Sequence, residues 1–511
     1  MSGTRKVLGA FDGLLTSARK GAGYLGRPAL LAAKVARVWR RRRSEQAYRD
    51  ALAGGGLIVV PPSPPAEVLF TVATPVHRVA EEHLRAAIAS VRAQTYPLWE
   101  LLLLDDASPD PHVARVLAEA VRGDGRIRTM RRTTNGGIAV ASNEILRQAR
   151  GEYVAFLDHD DLLHPRALEL AARFFASCPG VEWLFTDEDK IDEGGRHHEP
   201  CLKPGWSHHL LLSFNYVSHL RIVRRALLER LSGHREGFEG AQDYDLALRA
   251  VAAGARFAHL RGVLYHWRTV ASSMARVAGA KPQAHAHALR ALAQHAGAWP
   301  RGGAVTADVL LGPASLFRVR REPDRGLAVA VLEGDPAAGS LLIEAARRSA
   351  AEIVVLPPPG GVTAADMHEL LALLQVPGTA IAGGRGVAGS RVVASGFVVG
   401  DDRRARDPGA GLRIADPGYL NLALIPGPRE VPPPLGWAGW RDLLIAAWDA
   451  TADAPTEWRL GTGLARAGLE VVTTPMVSFA WPPARRLPLP TPAPAELSPR
   501  WSHWLDELRL A

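Results

Sequence analysis

The stretch Gly151-Glu152-Tyr153-Val154-Ala155-Phe156-Leu157-Asp158-His159-Asp160-Asp161 decides how the rest of the chain is read. An apolar run rich in strand formers ends in three carboxylates interrupted only by His159. This predicts a buried strand over 153–157 that delivers acid groups to its tip. So much negative charge in one place is costly unless a cation neutralises it, and a divalent metal is the economical explanation. The competing reading is an ordinary strand-to-loop transition with solvated acids.

Towards the N-terminus the pattern recurs. Residues 68–73 predict a strand ending at Thr74-Pro75, and a helix follows over about 80–94 with Leu84, Ile88 and Val91 on one face. Leu101-Leu102-Leu103-Leu104 predicts a buried strand capped by Asp105-Asp106-Ala107-Ser108. Another helix, a short strand near Ile127 and the loop Asn135-Gly136-Gly137 lead to a helix through Asn143 and Leu146. Alternating strands and helices predict an α/β fold, a Rossmann-like sheet covered by helices on both faces. Ligands of such sheets bind beyond the carboxyl ends of the strands. Thr74, Asp105, Asp106 and Asp158 to Asp161 all fall there, so one crevice should collect them. No GxGxxG follows the first strand and no GxxxxGK[ST] occurs, which counts against a dinucleotide cofactor and an NTPase loop.

At 511 residues and 47% hydrophobic, the chain is long enough for two or three domains. Cys178 and Cys201 form no disulfide framework or zinc motif and fit a reducing location. The net charge of +9 resides in residues 1–50, where twelve Lys and Arg face three acids, so the body of the chain is neutral. That distribution argues against nucleic acid as a partner and for an anionic surface met by one arm. Leu31, Val35, Val38 and Trp39 recur at helical spacing among Lys34, Arg37 and Arg40 to Arg43, a basic amphipathic helix suited to an anionic membrane surface. A solvated basic tail, or a helix docked on the body, fits the same pattern. No run in the arm approaches the ~18 apolar residues of a spanning helix, and none reads as a signal peptide. The expected location is cytoplasmic, peripheral on the inner face of the cell membrane.

Taken together, Thr74-Pro75-Val76, Gln94-Thr95-Tyr96-Pro97, Leu104-Asp105-Asp106-Ala107-Ser108, Asn135-Gly136-Gly137, Asp158-His159-Asp160-Asp161 and Gln242-Asp243-Tyr244-Asp245 resemble family 2 glycosyltransferases of the GT-A fold. Asp187-Glu188-Asp189-Lys190, Lys203-Pro204-Gly205-Trp206 and Tyr265-His266-Trp267-Arg268 are similar to a branch from bacterial surface-polysaccharide clusters. The resemblance implies a mostly parallel mixed sheet and a nucleotide-diphosphate sugar bound by Thr74, Pro75, Asp105, Asp106, Asn135, Gly136, Asn143, Asp158 and Asp160. It implies Mg2+ or Mn2+ on Asp158 and Asp160, with His266 either completing the metal or diphosphate contacts or packing beside Trp267. Asp243 is the implied base, with Gln242 where Glu is usual. Asp187, Glu188, Asp189, Trp206 and Gln242 are expected on the side of a saccharide or lipid-linked saccharide acceptor. Asp245 is expected to cap its helix or orient a loop. One base plus a metal implies direct displacement with inversion, since double displacement would need a second nucleophile.

Residues 290–511 hold a faint repeat. Glu352-Ile353-Val354-Val355-Leu356-Pro357-Pro358 aligns with 152–158 at an offset of 200, and Phe479-Ala480-Trp481 aligns with 265–267 at an offset of 214. Pro358 and Gly360 then stand where the acids were, and Ala480 stands where His266 was. From Leu327, taken as the counterpart of Phe70, too few residues remain before Pro358 for the intervening strands and helices. The expected organisation is a basic arm over 1–66, a GT-A transferase over 67–290, and a degenerate, truncated GT-A-like module with a Pro-rich tail over 291–511. An unrelated small α/β domain is the alternative for the last. For the whole chain the alternatives are a nucleotidyltransferase, whose Gly-rich phosphate loop is missing after the first strand, and a silent scaffold in a polysaccharide assembly complex.

Overall fold

The computed structural model describes residues 45–480 except 56, 270, 301, 312–314, 325, 333–338, 359–360, 389, 395–397, 400–404, 407–426, 430–436, 452–455 and 468. The expected amphipathic helix of the basic arm lies outside the described residues. Among the described residues no helix is long and apolar enough to cross a membrane.

Nine strands build the first sheet: β1 (Phe70–Val76), β2 (Trp99–Asp105), β3 (Ile127–Arg131), β4 (Tyr153–Phe156), β5 (Leu162–Leu163), β6 (Trp183–Ile191), β7 (His197–Cys201), β8 (Arg221–Arg224) and β9 (Phe257–Arg268). Their order is β3-β2-β1-β4-β8-β6-β9-β5, with β7 on β6. The first four pair in parallel, β8 runs antiparallel to both neighbours, and β6 pairs with β9 in parallel. This is the expected mixed, mostly parallel sheet.

The leucine run of β2 supplies both faces. Leu102 and Leu104 join one buried cluster with Val154 and Phe156, while Leu101 and Leu103 join the opposite cluster with Val72 and Ala155. Alternation along a strand buried on both sides requires such a continuous apolar run.

Two residues shape the mouth of the crevice. Pro75, which has no N–H to donate, lies just beyond Ala73↔Phe156, the last paired residues of the β1–β4 ladder. The chain leaving β4 is thereby free to turn away with its acids. At the other end of β4, a Cβ on Gly151 would meet the backbone N of Thr71 at 2.4 Å and the backbone O of Leu69 at 2.8 Å, so only glycine starts a strand this close to β1.

A helix, Ala271–Gly297, and a hairpin of β10 (Val305–Leu311) and β11 (Leu316–Arg321) lead to the second sheet. Its strands are β12 (Val329–Val331), β13 (Ile353–Leu356), β14 (Thr379–Ala388), β15 (Arg391–Ala394), β18 (Gly427–Arg429), β19 (Trp437–Trp440) and β20 (Glu470–Ala480), with β16 (Val398–Val399) and β17 (Ala405–Arg406) forming a separate ribbon. The order β12-β13-β19-β14-β20 repeats β1-β4-β8-β6-β9 in sequence order and in the direction of every pairing.

The registers coincide as well. Val329↔Ile353 matches Phe70↔Tyr153, so the copy of β1 starts at Val329, two residues later than the sequence alignment placed it. Ile381↔Val471 matches Trp183↔Phe257, reproducing the offset of 214. The helix Thr456–Arg466 likewise stands 214 residues after Gln242–Ala252. Between β12 and β13 the described residues hold one helix, Gly339–Arg348, and no counterpart of β2 or β3. Arg318 of the hairpin pairs with Glu369 (2.7 Å), and His209, from the region of the first sheet, meets Thr379 of β14 (2.6 Å).

Candidate active site

The acids at the tip of β4 divide by burial. Asp161 is buried, accepting from the Tyr265 hydroxyl at 2.6 Å and the Arg268 N–H at 2.7 Å. Burial, then the neighbouring Asp158 and Asp160, push its carboxyl well above the ordinary carboxylate range. The side chains of Asp158 and Asp160 are half-buried and pair with no cationic side chain among the described residues. Their main chain is fixed, Asp158 N–H donating to the Tyr265 hydroxyl (3.3 Å) and Arg268 Nε to the Asp160 carbonyl (2.8 Å). His159 anchors the turn on the Pro75 carbonyl (3.1 Å).

The loops after β1 and β2 close one side. Both oxygens of Asp106 accept backbone N–H bonds from Gly136 and Gly137, each at 2.9 Å, and Arg132 lies 3.0 Å away. Asn135 donates to the Asp106 carbonyl (3.2 Å). Asp105 accepts from Ser108 N–H (2.8 Å), with Arg131 at 3.3 Å. The two acids therefore build the loop of the crevice with their own carboxylates. Arg78 and Ala107 adopt left-handed backbone, φ 50° and 58°, at the two strand tips. Such conformations are costly for non-glycine residues and gather at functional loops. Thr74 is fully buried, its hydroxyl without a hydrogen-bond partner among the described residues.

Asp243 lies in the first turn of the helix Gln242–Ala252 with a side chain 24% exposed, and Arg221 of β8 reaches it at 2.8 Å. Burial works to raise its pKa, but Arg221, then His234 and His219, outweigh it and hold the carboxyl below its ordinary value. His234 is 4.0 Å from Asp243 and is itself depressed to about 4, chiefly by burial. The Arg221 guanidinium also covers the Phe156 ring at 4.2 Å, and His234 meets that ring edge-on. Phe156, two residues before Asp158, thus joins the acid tip to Asp243. Asn143 grips the main chain of His234 with two 2.8 Å bonds. Its amide is spent on positioning that loop, where the sequence assigns it to the donor.

The residues expected on the acceptor side are mostly structural. Asp187 is buried and accepts from Lys203 N–H (2.7 Å), Gly262 N–H (2.8 Å) and His259 (2.9 Å). Trp206 stacks on Phe257, ring centroids 4.2 Å apart. Buried carboxylates must be satisfied locally, and the indole face turned to Phe257 is occupied by that ring. Glu188 pairs with Lys203 (3.0 Å), whereas Gln242 is buried with its Oε1 unpartnered among the described residues. Asp245 does not cap its helix. It binds Arg235 and Arg249 and so secures the loop before Asp243.

His266 is not brought to Asp158 and Asp160. It pairs with Asp189 (2.6 Å) beside His197, while the preceding Tyr265 reaches the acid tip. Successive side chains of a strand point to opposite faces, which separates the two. Sequence reasoning gave no role to Arg221, His234, His219 or Tyr265. The available signal was Arg221 itself, a charge opening an apolar strand.

The family model described as Glycosyl transferase family 2 matches residues 71–232. The uncharacterized protein y4gI of Sinorhizobium fredii is 43% identical over 247 residues, which is 48% of this chain and 27% of that protein. The O-antigen biosynthesis protein RfbC of Myxococcus xanthus is 41% identical over 262 residues, 51% of this chain and 20% of that one. The chain therefore spans only 27% and 20% of the length of those two relatives. EpsE of Bacillus subtilis, named as a glycosyltransferase, is 32% identical over 196 residues, 37% of this chain and 69% of EpsE. Among solved structures, Staphylococcus aureus TarS 1–349 with UDP-GlcNAc aligns at 21% identity and TM-score 0.38, over 45% of this chain and 66% of that one. The mannosyltransferase PcManGT of Pyrobaculum calidifontis with GDP-Man and Mn2+ aligns at 19% identity and TM-score 0.34, over 52% and 74%.

Proposed function

Because the chain belongs to glycosyltransferase family 2, we propose that it moves a sugar from a nucleotide-diphosphate donor to a hydroxyl acceptor by direct displacement, with inversion. The observation that carries the reading is Asp243, an accessible carboxylate kept ionised by Arg221 and joined through Phe156 to the acid tip of β4. An ionised carboxylate at the mouth accepts the proton of the attacking hydroxyl. Its low pKa makes it a weak base but one available at every physiological pH.

The half-buried carboxylates of Asp158 and Asp160, which lack a cationic partner among the described residues, fit Mg2+ or Mn2+. Bound there, the dication supplies Lewis-acid stabilisation of the departing diphosphate. Tyr265 and Arg268 hold the tip in place for it, and the Asp106-ordered loop with Asn135 and Gly136 faces the nucleoside. RfbC supports an acceptor in surface-polysaccharide synthesis, a saccharide or lipid-linked saccharide. The basic arm, residues 1–50, would hold the enzyme at an anionic membrane surface. Residues 291–511 would form a copy of the transferase sheet that supports the first without transferring sugar.

The test is a donor screen following nucleoside diphosphate release from UDP-, GDP- and dTDP-sugars, with and without chelator. One donor class should turn over, only with metal. Metal-independent turnover would remove the role given to Asp158 and Asp160, and no turnover of any donor class with acceptor present would remove the reading.

A further inference from the structure

On the side of β9 that His266 faces, three strands converge. Asp189 of β6, His197 of β7 and His266 of β9 place one ligand atom each within 4.8 Å of one another. The two Asp189 oxygens lie 2.6 Å from His266 Nδ1 and 2.7 Å from His197 Nδ1. Tyr48, from the helix over residues 45–53, donates its hydroxyl to the same carboxylate.

Asp189 is fully buried, and no Lys or Arg among the described residues pairs with it. A buried carboxylate is expensive to desolvate, and here His197, His266 and Tyr48 answer it with hydrogen bonds; a dication held by the same carboxylate and imidazoles would answer it with charge as well. Two imidazole nitrogens and one carboxylate oxygen form the donor set of Zn2+ and its neighbours, not the all-oxygen set of Mg2+. Zinc bonds of about 2.0–2.1 Å place tetrahedral ligand atoms roughly 3.3 Å apart, so each imidazole nitrogen would draw back from its Asp189 oxygen by about 0.6 Å, within reach of small side-chain rotations. His197, 32% exposed, supplies the way in, and the Tyr48 hydroxyl or a water the fourth position.

We propose that Asp189, His197 and His266 form a transition-metal site of the Zn2+ class, separate from the Mg2+ or Mn2+ of sugar transfer. The ion would lock β6, β7 and β9 together and draw in the helix of Tyr48. Strand β9 also carries Tyr265, which positions the acid tip, so the site would stiffen the catalytic crevice from behind.

The experiment loads full-length protein with Zn2+, removes free metal by gel filtration and measures bound zinc by mass spectrometry. Stoichiometric zinc is expected in the wild type and in Asp158→Asn/Asp160→Asn, with loss in His197→Gln/His266→Gln. Co2+ should give the visible absorption of a four-coordinate site in the first two only. Should the double histidine variant not fold, His197→Gln alone changes a partly exposed ring at a strand on the sheet margin and should weaken zinc retention at least tenfold. Zinc retained equally by the histidine variants, or none retained by folded wild type, would show a hydrogen-bonded hub and overturn the proposal. Neither outcome depends on sugar transfer.

Discussion

At the tip of β4 stand Asp158 and Asp160; just beyond β13 stands Pro358, and the offset of 200 sets Gly360 against Asp160 in sequence. Ladder register extends the comparison. Arg221, which holds Asp243, corresponds to Trp437, and Asp189 and His266 correspond to Val387 and Ala480. Yet Val354 and Leu356 pack one face of β13 and Ile353 and Val355 the other, as in β4. The alternation that buries a sheet is common to the two, whereas the polar groups of the site stand only in the first. Apolar residues of similar volume interchange at small cost, whereas a buried charge survives only with its partner. With no counterpart of β2 or β3 among the described residues, β12 is an edge strand, and Val329 and Val331 are 37% and 56% exposed. One acid position remains: Glu457 stands 214 residues after Asp243, on the matching helix.

The largest expected effect isolates the first sheet. Asp160→Ala/Asp243→Asn in the full-length chain should abolish donor turnover. Residual metal-dependent transfer that disappears on deleting residues 300–511 would reveal an active site in the second sheet.

A paired substitution sharpens this. Asp243→Asn should lower turnover by roughly 10²–10⁴ with donor affinity nearly unchanged, while Glu457→Gln should leave turnover as it is. Steady-state kinetics of the two variants decides whether the surviving acid is a relic.

The pH profile tests the Arg221–Asp243 pair. The carboxyl of Asp243 is depressed, so the base form persists into acid and the acid limb of kcat/KM should fall below the ordinary carboxylate value. In Arg221→Gln the cation is gone and burial, which raises the pKa, remains, so the limb should move upward. An unmoved limb would assign it to another group.

The smallest effect concerns packing. Gly151→Ala should destabilise the chain by about 1–3 kcal/mol, because its Cβ meets backbone of β1 and the residue before it. The offset of 200 places Ala351 at the same position in the second sheet, where a methyl is accommodated. Equal thermal midpoints for wild type and Gly151→Ala would mean that the two sheets approach their first strands alike.

Strands over 153–157 and 101–104, the acids at the strand ends and the offsets of 200 and 214 could all be read from the chain. Each rests on local periodicity and a continuous register. The misplaced residues were polar and long-range. Asp187 and Trp206 look available in sequence because nothing near them along the chain shows that His259, Gly262 and Phe257 will occupy them. Asn143 reads as a crevice residue because its partner, His234, is 91 positions away.

By itself the sequence determined which segments become buried strands and where carboxylates leave the sheet, since burial on both faces demands unbroken apolar runs and charge must then appear at their ends. Only the tertiary structure decided which carboxylates are free. Asp105, Asp106, Asp187 and Asp245 are bound by donors of the protein, Asp189 is enclosed by His197, His266 and Tyr48, and the side chains of Asp158 and Asp160 have no cationic partner among the described residues. The reason is that desolvation is set by everything packed around a group, and most of what surrounds these acids comes from distant strands.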